Sequence, residues 1–389
     1  MSVPKLRFKE FDGDWSLTTL NQLSTKIGDG IHATPKYDES GTIPFINGNN
    51  LVNGRVIINE NTKRISNEEF QKYNQVLSDR TLFLSINGTI GNLAFYKNEK
   101  VLLGKSVCFI NLKNDLDKKF IYLLLQSPQL TKTLNSELTG TTIKNLSLAT
   151  VRNSEFYCPI EAEQTKIASF LSNVDEKISQ LTQKHELLSQ YKQGMMQKLF
   201  SQQIRFKADD GSEFGDWENI SVKEIFDVTR GQVLAVSNTV SVADTDYKYP
   251  VFSSQTKQKG LMGFYKKYLF EDALTWTTDG ANAGDVNFRK GKFYCTNVCG
   301  VLLSKKGYAN LCIAEILNKV THKYVSYVGN PKLMNNVMSE IPITIPSNLE
   351  EQTKIANFLS AIEQKIEVVT QQIEQAKTWK KGLLQQMFV

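Results

Sequence analysis

Two stretches of the chain carry apolar residues at alternating steps of four and three. In the first they are Ile167, Leu171, Val174, Ile178, Leu181, Leu188, Met195 and Leu199, with polar His185 and Lys192 on the same stripe. In the second they are Ile355, Leu359, Ile362, Ile366, Val369, Ile373, Leu383 and Met387, with Ala376 and Lys380 among them. A seam of this period over about five heptads predicts two helices that bury a narrow stripe against each other. Each runs roughly 38 residues, about 57 Å. No single core is long enough to cover such a helix, whereas a second copy of it supplies a matching face.

The two stretches are copies. EQTKIASFLS (163–172) returns as EQTKIANFLS (351–360), and YKQGMMQKLF (191–200) as WKKGLLQQMF (379–388), both at an offset of 188. Gly194 and Gly382 share one repeat position inside the helices, where each costs ~1 kcal/mol relative to alanine. The pair predicts either a close helix approach there or bent final turns. A shorter echo precedes each unit: LRFKEFDGDWSLTTL (6–20) resembles IRFKADDGSEFGDWENI (204–220), with Trp15 and Trp217 at equivalent places.

Between these marks the pattern changes from helical to extended. IGDG, SGTIP, FINGNN and INGTIG separate short strand-like runs such as VLLGKSVCFINL, and KKFIYLLLQSPQLTKTL (118–134) reads as helix. In the second slot YPVFSSQ, ALTWTTDG, GKFYCTN and CGVLLSKKG read as strands and turns, and ANLCIAEILNKV (309–320) as helix. The two slots do not align residue by residue. Each predicts an α+β domain: 1–160 and 201–348 are globular, 161–200 and 349–389 are the long helices. If each domain has its ends close together, the second helix must start where the first one stops and run back antiparallel to it. The expected fold is α+β: two globular domains of mixed strand and helix held apart by two long antiparallel helices (a coiled coil), with an internal pseudo-twofold repeat.

Composition narrows the class. At 41% apolar residues each domain can bury a core. No apolar run reaches the ~18 residues of a membrane span, and the N-terminal MSVPKLRFKE is charged where a signal peptide is apolar, so a cytoplasmic protein without membrane contact is expected. Five scattered cysteines fit reduced thiols. The net charge of +6 is mild, and residues 16–160 and 218–348 carry +4 each, so positive charge is shared between the domains.

Two unlike heads related by a pseudo-dyad suit duplex DNA, whose half-sites are related in the same way. The candidate reading residues lie in the polar loops. In the first head they are Lys26, His32, Thr34, Lys36, Tyr37, Asn47, Asn49, Asn50, Ser85 and Asn87. In the second they are Ser253, Ser254, Gln255, Thr277, Thr278, Asn282, Asn287, Arg289, Thr296 and Asn297. Asn and Gln pair bidentately with adenine, and Arg and Lys take guanine or phosphate; turns also require Asn and Gly for their own geometry.

No catalytic constellation stands out. GKS (104–106) lacks the upstream glycine of a phosphate loop, since Glu99 occupies that place. No Asn-Pro-Pro-Tyr type motif and no adjacent prolines occur. Cys295 and Cys299 have partial metal spacing without a second ligand pair. The expectation is a binding subunit with no catalytic, cofactor or metal site of its own. A bivalent architectural DNA binder and a motif-poor nuclease on a split site are the alternatives.

The duplicated frame RFK…GDW…P…EQTKIA.FLS, closed by a helix ending KG..Q..F, resembles the specificity (S) subunit of type I restriction-modification systems over the whole chain. Segments such as DGIHATPKY, IPFINGNNL and TWTTDGANAGDVNF are similar to runs in the target-recognition domains of that family. The resemblance implies that each head reads one half of a bipartite DNA site while the coiled coil sets the unread spacer. It also implies partners: two modification methyltransferase subunits and two restriction subunits, which bring S-adenosylmethionine, ATP and Mg²⁺.

Overall fold

The computed structural model describes residues 3–73, 75–140, 144–254 and 257–389. The chain divides into two compact units, residues 1–182 with 371–389 and residues 183–370, so each long helix contributes one half to each unit.

In the first unit the strand Ser16–Thr19 pairs antiparallel with Glu155–Cys158, Ser16 opposite Cys158. The globular part therefore begins and ends side by side. Between them lies a four-stranded antiparallel sheet in the order Ser24–Asp29, Val107–Leu112, Thr81–Asn87, Thr89–Phe95. A short strand Ile43–Ile46 runs parallel to Leu102–Leu103. The helix expected over 118–134 is two helices, Lys118–Leu124 and Pro128–Ser136. The break has a local cause. Pro128 has no N–H to continue the first helix, and the Ser127 hydroxyl accepts from the Leu130 amide to cap the second.

In the second unit Trp217–Ser221 pairs antiparallel with Pro342–Pro346. The enclosed sheet has six strands, in the order Asp227–Arg230, Cys299–Leu303, Phe270–Thr277, Val286–Cys295, Tyr249–Phe252, Leu261–Tyr265. Tyr249–Phe252 and Val286–Cys295 are the parallel neighbours. The helix Leu311–Val320, capped by Asn310, buries Cys312, Ile313, Ile316 and Leu317 against this sheet.

The two units therefore follow one plan although their sequences do not align. Both domains open with a strand leading into a one-turn helix held by a capping box, Thr19 with Gln22 and Ser221 with Glu224.

The long helices span Glu161–Phe200 and Leu349–Met387. In the first unit Ile167, Leu171 and Val174 share a core with Leu383, Met387 and Phe388, so the opening of one helix meets the close of the other. In the second unit Leu199 shares a core with Ile355 and Leu359, the reciprocal pairing. This is an antiparallel pair. Of the seam residues, Ile167, Leu171, Val174, Leu181, Leu199, Ile355, Leu359, Ile362, Val369, Ile373, Leu383 and Met387 are buried. Ile178, Leu188, Met195 and Ile366 are half-buried.

The repeated decapeptide is explained by one contact set made twice. Glu163, 1% exposed, accepts from Arg7 Nε at 2.8 Å and from a terminal Arg7 nitrogen at 2.7 Å. Glu351, also 1% exposed, accepts from Arg205 at 3.0 and 2.8 Å. Each carboxylate raises its arginine's pKa chiefly through these hydrogen bonds. Phe8 meets Phe170 at 5.7 Å and Phe206 meets Phe358 at 5.8 Å between ring centroids. Across the helix pair, Phe170 meets Trp379 at 6.1 Å and Phe358 meets Tyr191 at 6.5 Å. Asp175 pairs with Lys380, and Glu363 with Lys192. RFK and EQTKI are thus two sides of one lock, and the polar slots at Lys192 and Lys380 are ion-pair positions in the seam. Gly194 and Gly382 do not mark a close approach: a Cβ on either would meet nothing within 4 Å.

Candidate nucleic-acid interface

The loops singled out in the sequence come together at one end of each sheet, on a shared backbone frame; Lys26 does not join them, lying within the strand Ser24–Asp29 opposite Asn111. In the first unit Gly30 N donates to Val107 O (3.1 Å), Ile31 N to Leu103 O (2.8 Å), Gly104 N to Ile46 O (2.8 Å) and Val107 N to Gly104 O (2.9 Å). In the second, Gly231 N donates to Cys299 O (3.1 Å), Gln232 N to Cys295 O (3.0 Å), Thr296 N to Phe252 O (2.9 Å) and Cys299 N to Thr296 O (3.0 Å). The four bonds correspond one to one. Gly30 and Gly231 are required by this frame, because a Cβ would lie 2.1 Å from the Leu103 carbonyl oxygen or 2.2 Å from that of Cys295. The GKS turn thus belongs to the frame, as the link between strands Leu102–Leu103 and Val107–Leu112.

On the first frame, side chains knit the turns together. Ser106 Oγ donates to Asn47 Oδ1 and accepts from the Gly48 amide, each at 2.9 Å. Ser85 Oγ accepts from the Asn92 amide, and Asn87 donates to Asn145. Asn50, nine-tenths buried, spends its amide on Asn47 N, Ile57 O and Thr62 Oγ1. Lys26, His32, Thr34, Lys36, Tyr37 and Asn49 are exposed, Asn47 and Asn87 half-buried, Asn50 and Ser85 buried. His32 is held to Asp29 at 2.7 Å.

On the second frame Asn297 is exposed, Ser253, Ser254, Asn282 and Asn287 are half-buried, and Thr277, Thr278, Arg289 and Thr296 are buried. Gln255 lies outside the described residues. Thr278 Oγ1 is engaged by Val298 O and Asp279. Several of these side chains line a cavity of about 210 Å³. Its floor is Arg289 with Thr275, Thr277 and Trp276; its rim includes Ser253, Lys259, Asn282, Asp285 and Asn287. Arg289 Nε donates to Thr275 Oγ1 at 3.0 Å and a terminal nitrogen to Lys259 O at 2.7 Å, and the guanidinium lies 3.8 Å from the Phe252 ring centroid. Burial lowers its pKa to about 10, so it stays protonated at neutral pH.

Sequence reasoning did not single out Asp285, Lys259, Ser106 or Asn92. Lys259 carried no turn signature, although Gln258 and Lys259 both adopt positive φ, 50° and 52°. Ser106 was readable only as a failed phosphate loop. A larger concavity of about 620 Å³ in the first unit, between residues 126–135 and 377–384, is lined by four lysines and contains none of the candidates. Among the described residues no group of acidic, His and Cys side chains is arranged to hold a metal, and no helix is long and apolar enough to cross a membrane.

Comparison with known proteins agrees with this architecture. Residues 12–190 and 215–378 match the family model described as the type I restriction modification DNA specificity domain. A protein named as a type I specificity subunit of Mycoplasma pneumoniae is 31% identical over 229 residues, 57% of this chain and 80% of that protein. Another from that organism is 33% identical over 151 residues, about half of its own length. A type I restriction enzyme specificity subunit of Methanocaldococcus jannaschii matches 98% of this chain and 94% of its own at 25% identity. Among solved structures, the S subunit of a type I restriction-modification system from M. genitalium shares the fold, with a TM-score of 0.68 at 20% identity, covering 100% of this chain and 99% of that one.

Proposed function

Because the chain belongs to the type I restriction-modification DNA specificity family, we propose that it is the sequence-reading subunit of such a complex. Residues 1–160 and 201–348 are its two target-recognition domains, each reading one half of a bipartite duplex site. Residues 161–200 and 349–389 are the constant helices. The observation that carries this reading is the pairing of one backbone frame, repeated bond for bond, with unlike loops built on it. A constant frame fixes where the loops stand, and the loop side chains are free to differ in what they contact.

The polar loop residues follow as the DNA-contacting set, with a division of labour set by exposure. Exposed Lys26, Lys36, His32, Tyr37, Asn49 and Asn297 reach phosphates or base edges directly. Half-buried Asn47, Asn87, Ser253, Ser254, Asn282 and Asn287 stand at the loop margins, and exposed Thr34 belongs with the first group. Buried Asn50, Ser85, Thr277, Thr278 and Thr296 hold the loops in shape. A net charge of +4 on each of residues 16–160 and 218–348 supplies only part of the phosphate neutralisation that tight binding needs. Two modification subunits and two restriction subunits supply the remainder, together with the chemistry of S-adenosylmethionine, ATP and Mg²⁺, in the cytoplasm. The chain itself contributes recognition and no catalytic group.

The test is to express the chain with its modification subunits in a host free of adenine methylation and map methylated sites by single-molecule sequencing. A bipartite motif of two fixed halves around an unspecified spacer is expected, and it should vanish when this chain is omitted. Methylation that is the same without the chain overturns the reading.

A further inference from the structure

Arg289 is a buried cation whose partners among the described residues are two neutral oxygens and a ring. It is 8% exposed. Thr275 Oγ1 and the Lys259 carbonyl occupy two of its five N–H donors, and the Phe252 face covers the plane. A guanidinium removed from water without an anion is costly, and an apolar side chain of similar volume would fill the same space more stably. The protein also fixes this group from outside the sheet. The carbonyl that holds it belongs to Lys259, which adopts positive φ between Gln258 and Gly260, two further positive-φ residues. The Lys259 ammonium in turn reaches Glu363 on the second long helix at 2.5 Å. So much backbone strain and ion pairing around one arginine points to a ligand for its remaining donors.

The cavity wall says which ligand. A phosphate would meet Arg289 but also the Asp285 carboxylate, which lines the same cavity and would repel it. Asp285 Oδ1 lies 3.3 Å from His322 Nε2, and the half-buried carboxylate keeps acceptor capacity. A cation and a carboxylate lining one cavity match a surface that offers acceptors next to a donor. In the major groove a G·C pair is such a surface: guanine presents N7 and O6, and cytosine its N4 amine. Resting on the reading of the chain as a DNA-specificity subunit, we propose that Arg289 and Asp285 together read one G·C pair in the half-site taken by the second domain.

The experiment uses the full chain with its modification subunits and the methylated-motif readout. The wild type should show a fixed G·C pair in the half-site that is retained when residues 16–160 are exchanged for those of a relative. Arg289→Gln should relax selection at that one pair by roughly 5- to 150-fold, the span of a good bidentate base contact. Arg289→Lys, a point charge without the fork, should relax it partway, and the first half-site should stay unchanged throughout. Asp285→Asn should loosen the same pair, and because this residue is half-buried it decides the matter if thermal melting shows that Arg289→Gln does not fold. An unchanged motif in a folded Arg289→Gln protein overturns the proposal. So does uniform weakening on all sequences with a shallower salt dependence, the mark of a phosphate contact. A wild-type complex that yields no motif overturns the parent reading and this proposal with it.

Discussion

At the scale of single residues, the two arginine–glutamate bonds hold the most concentrated stabilisation. Glu163 and Glu351 are 1% exposed, so each depends on its bidentate arginine for the hydrogen bonds that water would otherwise supply. Arg7→Ala leaves a buried carboxylate without a partner and should cost about 3–5 kcal/mol of stability, as should Arg205→Ala. Removing both charges together, as Arg7→Met with Glu163→Leu, should recover much of that loss. Urea denaturation of the two single variants and the pair measures the coupling, and additive losses would mean that the ion pair is not the source. Gly194 and Gly382 behave oppositely. Since a Cβ at either meets open space within a continuous helix, Gly→Ala at each should stabilise by about 0.4–1 kcal/mol, read as a rise in melting temperature.

At the scale of elements, the charges in the seam tie the long helices to the helix and turn of the second globular domain. Lys192 reaches Glu315 on the helix Leu311–Val320 at 3.2 Å and Glu363 at 4.0 Å, and Glu363 also pairs with Lys259 beside the Arg289 cavity. Burial works against ionisation of Glu363, but the Lys259 hydrogen bond and the charges of Lys192 and Lys259 outweigh it and hold its pKa below the ordinary value. A carboxylate whose folded pKa is depressed contributes stability above its unfolded value, and that contribution is lost as pH falls through the folded one. Glu363→Gln should therefore be less stable than the wild type at neutral pH, and the gap should close on acidification. Melting curves across the carboxylate range test this, and a gap that stays constant with pH would assign the effect to packing.

At the scale of the whole molecule, each recognition domain is an insertion with its ends zipped together. Ser16–Thr19 against Glu155–Cys158, and Trp217–Ser221 against Pro342–Pro346, make a domain that can be lifted out without parting the helices. Exchanging residues 16–160 for the matching segment of a relative should change one half of the methylated motif and leave the other intact. Two altered halves would show that the domains do not read independently.

How much of this was legible depended on the range of the interaction. The heptad seam and the repeat could be read directly, because a 3.5-residue period and a duplicated segment are local patterns that survive without knowledge of the fold; the antiparallel course followed only from taking each domain's ends as adjacent, as the paired end strands have them. The helix break at Pro128 was missed although its signal was present, because a long apolar period was read through a residue that cannot continue a helix. What joined RFK to EQTKI could not be read: Arg7 and Glu163 lie far apart along the chain, and only tertiary folding brings them to 2.7 Å. The common plan of the two domains was equally hidden. It resides in backbone hydrogen bonds such as Ile31 to Leu103 and Gln232 to Cys295, which most side chains permit, so beyond the two required glycines, Gly30 and Gly231, the frame leaves little trace in the sequence. The candidate loops were located by their turn residues, but the tertiary structure alone decided that Arg289 is buried without an ion pair among the described residues, stacked on Phe252 in a cavity that Asp285 also lines. A residue's type is written in the chain; its desolvation and its neighbours exist only once strands distant in sequence have closed around it.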